Sequence, residues 1–120
     1  MKKWNLSETS EAVRDIAESN PHHTDPGAAQ DACRYIGDDG KPQCIVGVFL
    51  VDKVGLPVDT VKELDTAAPF GGPIGIGHTV NSNILAHLDR DSVDFLSFVQ
   101  GKQDMGYTWG RAVETVLSGH

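Results

Sequence analysis

The sequence is short of cysteine, of long apolar runs and of positive charge, and each shortage excludes a class of protein. Two cysteines among 120 residues are too few for a disulfide scaffold. No stretch approaches the roughly 18 apolar residues that a membrane-spanning helix needs. The first residues, MKKWNLSETSE, lack the apolar segment of a signal peptide. We therefore expect a cytoplasmic protein that does not associate with membranes.

Basic residues are outnumbered by acidic ones. Ten lysines and arginines stand against seventeen acidic residues, which gives a formal net charge of −7. The basic residues are scattered and form no stripe that could contact successive phosphates, so the sequence argues against direct nucleic-acid binding. The acidic residues form no long run either, and we interpret them as a solvated surface rather than as a mimic of DNA.

The apolar residues that are present can form one small core. A chain of 120 residues with 39% hydrophobic content fits a single domain over residues 1–120. Apolar residues recur at helical spacing or lie between helix-end signals in six segments: 8–19, 44–54, 57–64, 78–89, 91–106 and 108–119. The apolar run at 44–54 could be a strand or a helix, and Gly55 with Pro57 after it favours a helix. We predict an α+β fold that is mostly α-helical, with about five short helices around one core.

Side chains suited to capping precede several of these helices. Asn5 or Ser7 could cap the first helix, and Asn5 with Glu8 has the spacing of a capping box. Asp91 or Ser92 is predicted to cap the helix at 91–106, and Thr108 is predicted to cap the last one.

A small β-hairpin is predicted near residues 33–44. Residues 34–36 have strand character, the sequence GDDGKP is typical of a turn, and a short return follows. Cys33 and Cys44 flank this turn. If the hairpin is centred between residues 38 and 39, the two cysteines lie opposite each other, within disulfide reach; if residues 39 and 40 form the turn, they do not.

The two cysteines could also bind zinc. Four ligands are needed, and His22, His23, Cys33 and Cys44 are the candidates. Their spacing matches no compact zinc motif, and long separations make site formation less favourable. We therefore expect no metal and no cofactor.

A catalytic role would fall to Cys44, because it precedes a predicted helix whose N-terminus would lower the pKa of a thiol. His78 and His87 are the candidate bases. The residues after Cys44 are apolar, which has the opposite effect on a thiol pKa. We interpret this cysteine as a packed interior residue.

Two further groups of residues are candidates for binding. Gly75 and Gly77 belong to the loop GGPIGIGHT, whose N–H groups could surround an anion. The loop lacks the third glycine of a dinucleotide fingerprint and the lysine of a P-loop, so we interpret it as a connecting loop. An exposed aromatic patch that binds a partner could be formed by Trp4, Tyr35, Tyr107 and Trp109, of which the last could instead anchor the core.

Two motifs in the chain resemble those of a known family. The first is C-x-Y, G-x-P-x-C-I-V-G and G-L-P within residues 33–57, and the second is Q-x-x-Q-D-x-G-x-x-W-G-x-A from residue 100 to 112. Together they resemble uncharacterised small proteins of actinobacteria and their bacteriophages. The resemblance covers about half of the chain, and it implies a cytoplasmic, phage-encoded product without a specified activity.

The expected function is therefore binding. We predict a small interaction protein without catalytic activity that modulates a host protein or associates with itself. The alternatives are a cysteine-dependent hydrolase or transferase that uses Cys44 with His78 or His87, and a small zinc-binding protein.

Overall fold

A computed structural model describes residues 3–24, 34–37, 39–69 and 71–119. Within these residues the chain forms six helices and no β-strand. The helices are α1 (Leu6–Ser19), α2 (Ile45–Val48), α3 (Val58–Lys62), α4 (Ser82–Leu85), α5 (Arg90–Asp104) and α6 (Trp109–Leu117). The chain continues from α2 into a π-helical segment, Phe49–Lys53, and from α3 into a 3-10 turn, Glu63–Thr66.

The predicted α+β fold with a hairpin near residues 33–44 is wrong. Among the described residues of this segment, Ile36 and Pro42 form one isolated antiparallel bridge, and no strand extends from it. The reason is that the N–H groups of Tyr35 and Ile36 donate to the side chain of Asp65. These backbone groups are therefore satisfied by a carboxylate instead of a neighbouring strand.

The predicted caps of the first and last helices are confirmed. The Asn5 side chain accepts the N–H of Glu8 at 2.9 Å, and the Glu8 carboxylate accepts the N–H of Asn5 at 3.2 Å. This reciprocal pair satisfies two N–H groups that have no partner within the helix. Thr108 caps α6 through its side chain.

Two other predicted helix starts are corrected. The cap of α5 is Asp89 rather than Asp91 or Ser92, because the Asp89 carboxylate accepts the Ser92 N–H at 2.8 Å. The helix predicted over 78–89 is the single turn α4. It ends early because the backbone on either side of residue 88 pairs with Trp4, which donates to the residue 87 carbonyl and accepts the residue 89 N–H.

Four helices and the π-helical segment surround the core. The helices α5 and α6 form a hairpin, α1 packs against both of them, and α2 packs against α1 and α5. Their inward side chains are apolar and completely or almost completely buried, among them Val13, Phe49, Leu96, Val99 and Ala112. Burial of this apolar surface is the main force that holds such short helices in place.

Candidate functional site

Cys44, the candidate nucleophile, is completely buried at the start of α2. Its sulfur accepts the N–H of Gly47 at 3.2 Å, so the side chain caps the helix that follows. A capping side chain satisfies one of the N–H groups that a helix leaves without a partner in its first turn. The thiol thus has a structural task in a place that solvent does not reach.

The two histidines proposed as bases lie in different segments. His78 is exposed in the turn after Gly75, and its backbone N–H donates to the carbonyl of that glycine at 2.9 Å. His87 is half-buried after α4, where its carbonyl accepts the N–H of Trp4 at 2.7 Å. Within the described ranges, no hydrogen bond joins the sulfur of Cys44 to either imidazole.

The four zinc candidates are not assembled by the described residues. His22 is exposed, whereas the ring of His23 packs edge-on against Trp109, with 4.6 Å between ring centroids. Cys33 lies outside the described residues, and with it the proposed pairing to Cys44. In the part of the chain that the structure describes, no three metal-binding side chains cluster together.

The glycines proposed for anion binding bring their loop close to α5. The N–H of Ile76 donates to the side-chain oxygen of Gln100 at 2.8 Å. A Cβ atom at Gly77 would lie 2.7 Å from the Ser97 hydroxyl, and one at Gly75 would also meet a neighbouring side chain. Gly77 therefore has a packing reason, because a larger residue there would press against Ser97 of α5.

A buried polar network connects this loop to α5 and to the segment 34–37. The Tyr35 hydroxyl donates to the carbonyl of Ile74 at 2.6 Å and accepts from the side-chain amide of Gln100 at 2.7 Å. Each of the two side chains thus holds one backbone group of the loop. We use the term inner network for four buried side chains: Tyr35, Asp65, Gln100 and Gln103.

The other two members of the inner network also hold backbone N–H groups. The carboxylate of Asp65 accepts from Tyr35 at 2.6 Å and from Ile36 at 3.2 Å. The side-chain oxygen of Gln103 accepts from the N–H of Ile45 at 2.9 Å, in the first turn of α2. Buried polar groups are tolerated when they are hydrogen-bonded, and here they fasten two irregular segments to the helices.

Burial raises the pKa of the Tyr35 phenol far above its ordinary value, and the negative charge that Cys44 would carry as a thiolate raises it further. The amide of Gln100 acts in the opposite direction by hydrogen bonding to the phenolic oxygen, but burial is the larger effect. The phenol therefore keeps its proton, which it needs as the donor to the Ile74 carbonyl.

Two glycines of the sequence motifs mark places where backbones come close. A Cβ atom at Gly47 would overlap the carbonyl oxygen of Tyr35. One at Gly110 would lie 3.0 Å from the carbonyl oxygen of Pro21, which accepts the Gly110 N–H. These two glycines, like the glutamines and the tyrosine of the inner network, belong to the sequence motifs and contribute to packing or hydrogen bonding inside the protein.

The four aromatic residues proposed as a binding patch lie in different environments. Trp4 is half-buried and packs edge-on against Phe49, with ring centroids 5.2 Å apart. Tyr35 is completely buried and Trp109 is almost completely buried. Tyr107 is half-buried, and it lies beside a surface that the sequence interpretation missed.

This surface lies on the solvent-facing side of α5 and on Met105, the residue that follows the helix. We call it the outer face and define it by four residues: Phe98, Gly101, Lys102 and Met105. These positions have the spacing i, i+3, i+4 and i+7, which places them on one side of a helix. Phe98 is 66% exposed and Met105 is 67% exposed. Around the position of a Cβ atom at Gly101 there is open space. Two large apolar side chains therefore flank a gap in the side-chain cover of the helix.

A shallow cavity adjoins the outer face. Its volume is about 370 Å³, and its lining consists of Phe98 and Lys102 from α5 with Val116 and Gly119 from the end of α6. An apolar side chain of ordinary size fits such a volume. The cavity thus extends the apolar surface of α5 onto the neighbouring helix.

Positive charge accompanies these apolar residues. The Lys102 ammonium lies 5.6 Å from the centre of the Tyr107 ring, and the Arg111 guanidinium lies 4.7 Å from it. Among the described residues, no ion pair joins Lys102 or Arg111 to a carboxylate. The ion pair found on α5 is that of Arg90 with Asp94. The outer face is therefore apolar and locally basic in a chain whose net charge is −7.

Comparison of the chain with protein-family models, with curated proteins and with solved structures finds no match. The resemblance to small actinobacterial and phage proteins stays a prediction. In the part of the chain that is described, no helix has the length and apolar character required to cross a bilayer.

The outer face could have been noticed in the sequence. Phe98 and Met105 are seven residues apart and lie away from the inward stripe that contains Leu96 and Val99. Helical periodicity therefore places them on the solvent side. No comparable signal identifies the buried roles of Gln100 and Gln103, because glutamine is mostly exposed in proteins.

Proposed function

We propose that this chain acts by binding another protein, in the cytoplasm of a bacterial cell, rather than by catalysis. The observation that carries the proposal is the exposure of Phe98 and Met105 on the outer face of α5. Aromatic side chains, methionine and arginine are the residue types enriched at protein interfaces. An exposed apolar patch with these side chains is typical of a surface that another molecule covers.

The positions of the reactive groups also favour binding. A cysteine nucleophile must be accessible and activated by a base, whereas the Cys44 sulfur is buried and accepts the Gly47 N–H. The Tyr35 phenol is likewise buried and occupied by two hydrogen bonds. The groups that could perform chemistry thus support the fold, whereas the exposed apolar groups do not.

The resemblance suggests where the partner should be sought. The two sequence motifs resemble those of small proteins of actinobacteria and their phages, so we propose an actinobacterial host protein as the partner. Self-association is the alternative, because a second copy would also cover the outer face.

Site-specific photo-crosslinking tests the proposed function. A photoreactive phenylalanine analogue is placed at position 98 and, as a matched control, at position 80, because Val80 is apolar and 89% exposed. Irradiation in an actinobacterial lysate should give a discrete protein adduct from position 98 and none from position 80. An adduct from position 80 alone would move the binding surface elsewhere, and the absence of adducts from both positions would overturn the binding function.

A further inference from the structure

We propose that the outer face of α5 binds an amphipathic helix of the partner, and that this helix is acidic. This inference rests on the proposed function. Three features of the surface determine the shape and charge of the segment that fits: the glycine in the last turn of α5, the adjoining cavity and the two cations.

The glycine determines how closely the partner can approach. Gly101 lies inside α5, where a glycine costs about 1 kcal/mol relative to alanine. Nothing within the described part of the chain requires it, because a Cβ atom there would meet open space. A second helix that crosses α5 at this point could bring its backbone close, with Phe98 and Met105 on either side of the crossing.

The cavity determines the apolar content of the partner. It lies beside Phe98, between α5 and the end of α6, and accepts a side chain that projects from a helix lying along α5. Helices that bind in grooves present apolar anchors at spacings of three and four residues. The partner segment should therefore carry at least two such anchors, one for the cavity and one for the space above Gly101.

The cations determine the charge of the partner. Lys102 and Arg111 lie beside the apolar surface and pair with no carboxylate among the described residues. Carboxylates on the polar side of the partner helix would form ion pairs with these two cations. A second copy of this chain docked through the same face is disfavoured, because a two-fold contact brings Lys102 and Arg111 of both copies together.

Selection from a library of helical peptides, displayed against the full chain, tests the proposal. The library varies charge and apolar positions independently, and binders are counter-selected on the double variant Phe98→Ser, Met105→Ser, whose circular dichroism should match the wild type. We expect the recovered peptides to carry apolar residues at helical spacing with flanking aspartate and glutamate. Neutral or basic sequences, or no enrichment, would overturn the proposal.

Charge reversal and the glycine provide two further measurements on a recovered peptide. The variant Lys102→Glu, Arg111→Glu should weaken binding about tenfold or more and remove its salt dependence. Gly101→Ala should also weaken binding, although it should not destabilise the protein. An unchanged affinity in both variants would contradict the proposed mode of binding.

Two other occupants of this face can be separated from an acidic helix. If the wild type sediments as a dimer and Phe98→Ser sediments as a monomer, the face binds a second copy of the chain. Binding to vesicles of anionic lipid that depends on Phe98 would assign it to a membrane. Either result overturns the acidic helix. A protein adduct from position 98 together with recovered peptides that are not acidic would leave the binding function standing.

Discussion

Each side of α5 carries two side chains of the kind usually found on the other side, although its inner side also carries buried apolar residues such as Leu96. Its inner side carries Gln100 and Gln103, which are buried, whereas its outer side carries Phe98 and Met105, which are exposed. The buried glutamines are stable because each holds a backbone N–H group of another segment. The exposed apolar residues have no equivalent task within the described residues.

This contrast separates what the helix does for the fold from what it does for function. A buried polar group must be hydrogen-bonded, so its position is determined by the rest of the chain. An exposed apolar group gains little from folding, and a contiguous patch of such groups indicates an interaction with something outside the chain. Four substitutions test this difference, from the largest expected effect on stability to the smallest.

Asp65→Ala should lower the free energy of unfolding by about 4 kcal/mol, because the N–H groups of Tyr35 and Ile36 would remain buried without an acceptor. Urea denaturation measures the loss. The control is Asp15→Ala, since Asp15 is exposed on α1, and it should change stability by less than about 0.5 kcal/mol. Equal effects at the two positions would show that the inner network does not hold segment 34–37.

Tyr35→Phe should cost about 2 kcal/mol at neutral pH, because the Ile74 carbonyl and the Gln100 amide lose their partner. The substitution should also change how the free energy of unfolding depends on pH above neutrality. Burial raises the pKa of Tyr35 in the folded state above its unfolded value of about 10. Its contribution is therefore complete below about pH 10 and is lost above it by about 1.4 kcal/mol per pH unit.

Denaturation of the wild type and Tyr35→Phe at a series of pH values above neutrality measures this dependence. The two curves should approach each other as the pH rises above about 10. Parallel curves would mean that the phenol of Tyr35 ionises as easily in the folded protein as in the unfolded chain.

Gly101→Ala should raise the free energy of unfolding by about 1 kcal/mol, because alanine is the better helix former and the space is open. Thermal denaturation checks this gain. Gly47→Ala is the matched control: it also introduces one methyl group into a helix, but against the Tyr35 carbonyl, so it should destabilise. A loss of stability at both positions would show that Gly101 has a packing role.

Phe98→Ser should change stability least, by less than about 0.5 kcal/mol, since the side chain is largely exposed. Leu96→Ala, two residues away on the inner side, should cost about 3 kcal/mol because Leu96 is completely buried. Urea denaturation of both variants compares the two sides of α5 directly. A large loss in Phe98→Ser would indicate that the outer face contributes to the core.

Local sequence signals predicted several helix ends correctly. The Asn5 and Glu8 capping box and the Thr108 cap depend on residues three apart or fewer, so tertiary packing has little influence on them. The helix after Cys44 was also predicted correctly, because Gly55 takes the positive φ of 86° that ends it.

The hairpin was mispredicted for a reason that lies far away in the chain. Residues 34–36 have strand character, but the acceptor of the Tyr35 and Ile36 N–H groups is Asp65, about thirty residues later. A carboxylate that takes the place of a strand leaves no periodicity in the sequence. The burial of Gln100 and Gln103 was missed for the same reason. Their hydrogen-bond partners belong to segments that are distant in sequence and contact α5 only in the folded protein.

The amino-acid order alone defined most of the helical segments, the caps of the first and last helices and the acidic charge, because each of these depends on neighbouring residues or on composition. Tertiary contacts decided that Tyr35, Gln100 and Gln103 are interior groups. The physical reason is that burial and hydrogen bonding depend on which distant segments meet, and that information is absent from any short stretch of the chain.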